Sequence, residues 1–171
     1  MPDFSLENAA SGIVAGIDEA GRGPWAGPVV AGAVILDQAT LPQELLLGLD
    51  DSKKLKPAKR EALFQVLQHH ADIGVGISGV DEIDEINILQ ATLRAMSRAL
   101  NALEGKPNIA LVDGNRPPKL SCPVQCIIKG DQLSLSIAAA SIVAKVTRDK
   151  IMGNLADSFP GYGWERNSGY G

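Results

Sequence analysis

A chain of 171 residues with 45% hydrophobic content has enough apolar surface for one core and too little length to divide into two. Its net charge of −4 excludes a protein that coats nucleic acid through bulk positive charge and leaves room only for a local basic face. With 4% aromatic residues, the core must come from Leu, Ile, Val and Ala, a composition suited to a sheet covered by helices.

In chain order, Met1 to Ala10 carries acidic residues and no basic, apolar leader, so it is not read as a signal peptide. No apolar run approaches the roughly 20 residues of a membrane-spanning helix, and a cytoplasmic protein is expected. Ile13 to Asp18 and Val29 to Leu36 are short runs rich in Val, Ile, Ala and Gly, joined by a loop too short for a crossover helix, and read as neighbouring antiparallel strands. Pro57 opens a helix whose apolar face, Leu63, Phe64, Val66 and Leu67, runs down to His70. Ile73 to Val80 reads as a third strand. From Glu82 the pattern becomes Ile86, Leu89, Leu93, Met96, Leu100 and Leu103, a single sustained helix stopped by Gly105 and Pro107. Asn108 to Val112 and Val124 to Ile128 are buried strands. Leu133 to about Asp157 is a long helix whose first half, Ile137 to Ala144, is small-sided and able to lie close to a sheet. Residues 160 to 171 are irregular and stop as if a further segment had been removed. Three meandering strands followed by helix and strand alternation predict an α/β fold, a mixed sheet with helices on its faces, in one domain spanning 1–171.

Four carboxylates stand at the ends of apolar runs: Asp18 and Glu19 before a Gly/Pro-rich turn, Asp113 before Gly114, and Asp131 before the long helix. Singly, Asp131 reads equally as a helix N-cap, Asp113 as a turn residue, and Asp18–Glu19 as solvated charges. Together they point to one shared centre. Adjacent strand residues face opposite ways, so Asp18 and Glu19 converge only if the strand ends or bulges there, a break that Gly21 and Gly23 would allow. Clustered carboxylates repel, and divalent cations relieve the repulsion; oxygen-only ligands select Mg²⁺ or Mn²⁺ over zinc.

The Gly-rich loop fails the dinucleotide fingerprint on spacing and is followed by a strand, and no P-loop motif occurs. It still offers bare backbone amides to a sugar or phosphate. Basic residues gather at Lys53, Lys54, Lys56, Lys59 and Arg60, and at Lys145, Arg148 and Lys150; they are either solvated helix faces or phosphate contacts. Cys122 and Cys126 lack the partners of a zinc site and are expected on one face of a strand as reduced apolar side chains. His69 and His70 are expected at a helix C-terminus.

Across nearly its whole length the chain resembles type 2 ribonuclease H, bacterial ribonuclease HII. The blocks are Gly16-Ile17-Asp18-Glu19-Ala20-Gly21-Arg22-Gly23-Pro24 and its continuation to Gly32, Asp51-Ser52-Lys53-Lys54-Leu55, Ile86 to Thr92, Val112-Asp113-Gly114, Lys129-Gly130-Asp131, and Ala138 to Asp149. The resemblance implies a ribonuclease H-like fold with a mixed five-stranded sheet. It implies hydrolysis of the RNA strand of RNA–DNA hybrids and incision at ribonucleotides embedded in duplex DNA, by two Mg²⁺ or Mn²⁺ ions, leaving 5′-phosphate and 3′-hydroxyl ends. By that likeness Asp18, Glu19, Asp113 and Asp131 are catalytic metal ligands, and Gly21, Arg22 and Gly23 recognise the ribose 2′-hydroxyl. Lys53 approaches the phosphate or sugar near the cut, and Tyr170 stacks on the sugar at the RNA–DNA junction. The chain departs from the family in reading Asn167-Ser168 where His-Lys is usual, and the helical segment that ordinarily follows is expected to be absent. A monomer is expected. Two rival readings are a non-catalytic hybrid-binding module and a metal-dependent phosphohydrolase of small nucleotides.

Overall fold

A computed structural model describes residues 1–170. Its elements run α1 (Ser5–Ala9), β1 (Val14–Ala20), β2 (Val29–Leu36), α2 (Gln43–Gly48), α3 (Pro57–His70), β3 (Ala71–Ser78), α4 (Val80–Asn101), β4 (Ile109–Asp113), β5 (Val124–Ile127), α5 (Leu135–Ser158) and α6 (Trp164–Asn167). The five strands form one mixed sheet in the order β3-β2-β1-β4-β5. β1, β2 and β3 are antiparallel neighbours, whereas β4 lies parallel to β1 and β5 parallel to β4. The meander and the parallel half therefore meet at β1.

Period-two alternation divides β1 and β2 between the two faces of the sheet. Ala15, Ile17, Val29, Ala31 and Ala33 pack with Met96, Ala99 and Leu100 of α4. On the other face Val34 joins Leu63 and Leu67 of α3 and the small side chains of α5, Ala138, Ala139, Ile142 and Val143. The small residues of α5 let its backbone come very near the strands: a Cβ on Gly16 would collide with the Ser136 carbonyl carbon and the Ile137 nitrogen. This close seating fixes the first turn of α5 against the middle of β1. No helix among the described residues is long and apolar enough to cross a membrane.

The elements depart from expectation at several points. β1 does not stop at Asp18 but keeps regular pairing with β2 through Glu19↔Ala31 and Ala20↔Val30, with no bulge. The predicted single helix after Glu82 is two helical pieces, because Asn87 adopts φ 71 and ψ 165 and its Oδ1 accepts a hydrogen bond from the Gln90 N–H, capping the second piece. Only Cys126 lies in β5; Cys122 precedes the strand, and both are free and half-buried. His69 and His70 occupy the last turn of α3. α1, α2 and α6 were not legible as helices, being short and held by tertiary contacts rather than by periodicity. α6 falls within the stretch expected to be irregular, whose last residue, 171, lies outside the described residues.

Candidate active site

The parallel ladder between β1 and β4 ends at Ile17↔Val112, so Asp18 and Asp113 stand one step beyond the last rung, on adjacent strands at their carboxyl ends. The antiparallel ladder on the other edge of β1 continues past them. Of the two expected breaks, an end or a bulge, no bulge occurs: β1 stays regular to its end at Ala20 but loses its partner on the β4 side beyond Ile17. By alternation Asp18 shares the α5 face with Gly16, and Glu19 shares the opposite face with Ile17. Even so, both carboxylates feel Asp113.

Asp131 arrives from β5 through a tight turn. Lys129 is left-handed at φ 56, and Gly130–Gln132 form a single 3₁₀ turn. The Gly130 N–H donates to Asp113 Oδ1 at 2.6 Å, which locks this turn to the end of β4. Asp131 is not the N-cap of α5; Ser134 fills that role, accepting from the Ile137 N–H.

Electrostatics record the crowding. Burial, then the charges of Glu19 and Asp113, holds the Asp18 carboxyl well above its usual range. Burial likewise raises Glu19, against the opposing pull of Arg22, whose guanidinium lies 3.8 Å from Glu19 Oε1. Burial raises Asp113 against the hydrogen bonds from the Gly130 and Asp131 N–H groups. Asp131 is pushed up to about 6 by burial, by the charges of Asp51 and Asp113, and by a hydrogen bond with the Asp51 side chain.

Asp51 is therefore a fifth carboxyl at the centre, one that reading the sequence did not single out. It is buried, and its Oδ1 accepts from the Lys53 N–H at 2.9 Å, shaping the turn that aims Lys53. The Lys53 ammonium acts on Glu19, Asp113 and Asp131. The other basic residues do not line up behind it. Arg60 is buried and donates to the Ser52 and Leu55 carbonyls, Lys145 pairs with Asp149 at 2.7 Å, and Lys150 pairs with Glu61 at 3.2 Å. The lysines around position 53 remain exposed.

The Gly-rich loop begins where β1 ends. Gly21 takes φ 108, and a Cβ there would collide with Arg148 Nε and the Pro28 carbonyl, so both conformation and space demand glycine. A Cβ on Gly23 would lie 3.2 Å from the Tyr170 hydroxyl, placing that tyrosine against the loop. The Trp25 and Ala26 N–H groups donate to the Gly169 carbonyl at 2.9 and 3.3 Å. Asn167 shapes the same turn, its Oδ1 accepting from the Gly169 N–H and its Nδ2 donating to the Tyr162 carbonyl. Sequence reading treated Arg148 as a basic surface residue. It is 1% exposed, and a four-residue stripe of buried positions, Ala140, Ala144, Arg148 and Met152, was the signal that marked it as internal.

The donors at the centre are all oxygens, and one ammonium and one guanidinium do not balance five carboxyls, so the chemistry of the set fits hard divalent cations. Among the described residues, however, no three acidic, histidine or cysteine side chains close into a finished ion site. The carboxylates are brought within electrostatic reach of one another.

The profile of the family described as Ribonuclease HII matches residues 15–171. Ribonuclease HII of Paramagnetospirillum magneticum is 61% identical over 171 residues, 100% of this chain and 85% of that protein. The ribonuclease H2 structure from Pyrococcus horikoshii OT3 superposes with a TM-score of 0.79 at 35% identity, over 94% of this chain and 81% of that one. Bst-RNase HIII, solved in complex with Mn²⁺, shares the fold at 20% identity and a TM-score of 0.74, over 89% of this chain and 56% of that one. This chain belongs to the ribonuclease HII family, hydrolases that cleave RNA in RNA–DNA hybrids.

Proposed function

We propose that the chain is a divalent-metal-dependent endoribonuclease that cuts the RNA strand of hybrids and incises at single ribonucleotides within duplex DNA, leaving 5′-phosphate and 3′-hydroxyl ends. The observation that carries this reading is the meeting of Asp18, Asp113 and Asp131, distant in sequence, each with its pKa raised at one end of the sheet. Asp18, Glu19, Asp113 and Asp131 would hold the ions. Two bound Mg²⁺ or Mn²⁺ ions supply a water acidified for attack and counter-charge for the leaving oxygen. Gly21, Arg22 and Gly23 present backbone amides to the ribose 2′-hydroxyl, Lys53 offers its ammonium to the phosphate flanking the cut, and Tyr170, half-exposed against Gly23, stacks on the adjacent sugar. What favours a duplex over a small nucleotide is the loop that follows Glu19 and Ala20 directly, with the exposed Tyr170 packed against its Gly23. Incubating the protein with a duplex carrying one ribonucleotide should give a cut at that nucleotide with Mg²⁺ or Mn²⁺ and none with chelator, while an all-DNA duplex stays intact. Hydrolysis of free nucleotides with the duplex untouched would overturn the proposal.

The raised carboxyls also predict a linkage between pH and ion binding. Because their folded pKa values exceed the unfolded value near 4, the metal-free folded state binds the extra protons, and its stability rises as pH falls through about 6, the value for Asp131. Divalent ions compete for the same oxygens. The gain in melting temperature from Mg²⁺ should be largest above about pH 7 and shrink below about pH 6. A gain that is the same at pH 5.5 and pH 8 would count against these carboxyls as the ion site.

A further inference from the structure

Arg148 is 1% exposed, yet among the described residues its guanidinium meets no carboxylate at hydrogen-bond distance. Among the described residues its hydrogen bonds go to backbone carbonyls: Nε donates to Pro28 at 2.9 Å, Nη2 to Ala26 at 2.8 Å and Nη1 to Ser168 at 2.7 Å. Pro28 and Ala26 form the far limb of the Gly-rich loop, and Ser168 lies two residues before Tyr170. The planar fork thus joins two segments separated by more than half the chain, and it does so from beneath, on the rigid frame of α5. The near limb packs on the same side chain, since a Cβ on Gly21 would strike Arg148 Nε. Two further bonds close the joint from above, the Trp25 and Ala26 N–H groups donating to the Gly169 carbonyl. Asp149 adds a side-chain tie, accepting from the Ser168 hydroxyl at 3.2 Å.

A buried cation is costly to desolvate, and the planar guanidinium fork fixes the spacing of the three carbonyls that compensate it. We propose that Arg148 is a positioning residue for ribose discrimination: it sets the spacing between the amides of Gly21–Gly23 and the ring of Tyr170, so that a sugar bearing a 2′-hydroxyl is gripped between them. The inference rests on the reading of that loop as the ribose sensor. Arg148 itself touches no substrate.

The test is the ratio of affinities for a duplex with one ribonucleotide and for the all-DNA duplex, measured by fluorescence anisotropy with divalent ions chelated so that nothing is cut. Arg148→Ala should lower this ratio by at least about tenfold, the equivalent of one charge-assisted hydrogen bond. Arg148→Lys should fall between, because a single ammonium cannot serve three carbonyls held in a fork. A merely structural role would lower the folded fraction and leave the ratio in the folded protein unchanged. Should Arg148→Ala fail to fold, Gly169→Ala strains the same joint from the Tyr170 side, where its Cβ would press on the Ala26 carbonyl, and should cause the same loss. A clear ribose preference in the unsubstituted protein that survives in both Arg148→Ala and Gly169→Ala overturns this inference alone. Lack of any preference in the unsubstituted protein overturns the sensor reading as well.

Discussion

Asp113→Asn should reduce cleavage of a ribonucleotide-containing duplex by at least about a thousandfold, the upper range for removing one preorganised electrostatic group from an active site, while making the metal-free protein more stable. The side chain ends β4 at the point where the ladder to β1 stops, and its Oδ1 is held by the Gly130 N–H at 2.6 Å. Asparagine keeps the volume and an acceptor for that bond, so the Asp131 turn stays in place. What it removes is one negative charge from a set in which burial and neighbouring carboxylates already raise the pKa of Asp18 and Asp131. With that repulsion relieved, the metal-free melting temperature should rise by roughly 2–4 °C, the shift that about 1 kcal/mol produces in a domain of this size. The stabilisation by Mg²⁺ should fall in the same variant, because a ligand to the ion has been lost. Cleavage within tenfold of the unsubstituted protein would show that the four acids do not act as one centre. Loss of cleavage with no gain in metal-free stability would show instead that they are too far apart to repel.

The acids were legible because carboxylates at the ends of apolar strands are unusual, and four in one chain imply a common place. How they meet was not. Alternation along a strand forbids Asp18 and Glu19 from sharing a face, which made a strand end or a bulge the natural expectation; the fold keeps β1 regular to Ala20 and removes its neighbour on one side. That solution is a property of pairing between distant segments, and no local pattern carries it. Asp51 stood in a matching block without a role for the same reason: its polar surroundings look like an ordinary loop until the turn before α5 is placed against it. Asn87 breaks α4 through a left-handed backbone that the continuing three-four pattern of Leu89, Leu93 and Met96 hides. Arg148 was the opposite case. Its position on the buried stripe of α5 was visible, but proximity in sequence to Lys145 and Lys150 grouped it with surface charge.

Gly16→Ala should cost about 3 kcal/mol or more, at or beyond the usual range for overpacking a core, lowering the melting temperature by roughly 6–12 °C, and Gly16→Val should not fold. Gly16 lies in the middle of the central strand, paired with Val34 on one side and Leu111 on the other, and it faces the first turn of α5. The atoms that a new Cβ meets are the Ser136 carbonyl and the Ile137 nitrogen, main-chain groups that no rotamer change can move. To admit the methyl, the start of α5 must lift from the sheet, and it carries Ile137, which is fully buried, away from Leu111. The same lift displaces Ser134, the cap of α5, and with it the turn holding Asp131. Gly16→Ala protein that remains folded should therefore also bind divalent ions less tightly, although the substitution adds no charge and lies two residues from the nearest acid. Gly153→Ala provides the contrast, being a helical glycine with nothing within 4 Å of its Cβ position; there the methyl should stabilise by up to about 1 kcal/mol through helix propensity. If Gly16→Ala and Gly153→Ala moved the melting temperature in the same direction, the close seating of α5 on β1 would not be what aligns the acidic centre.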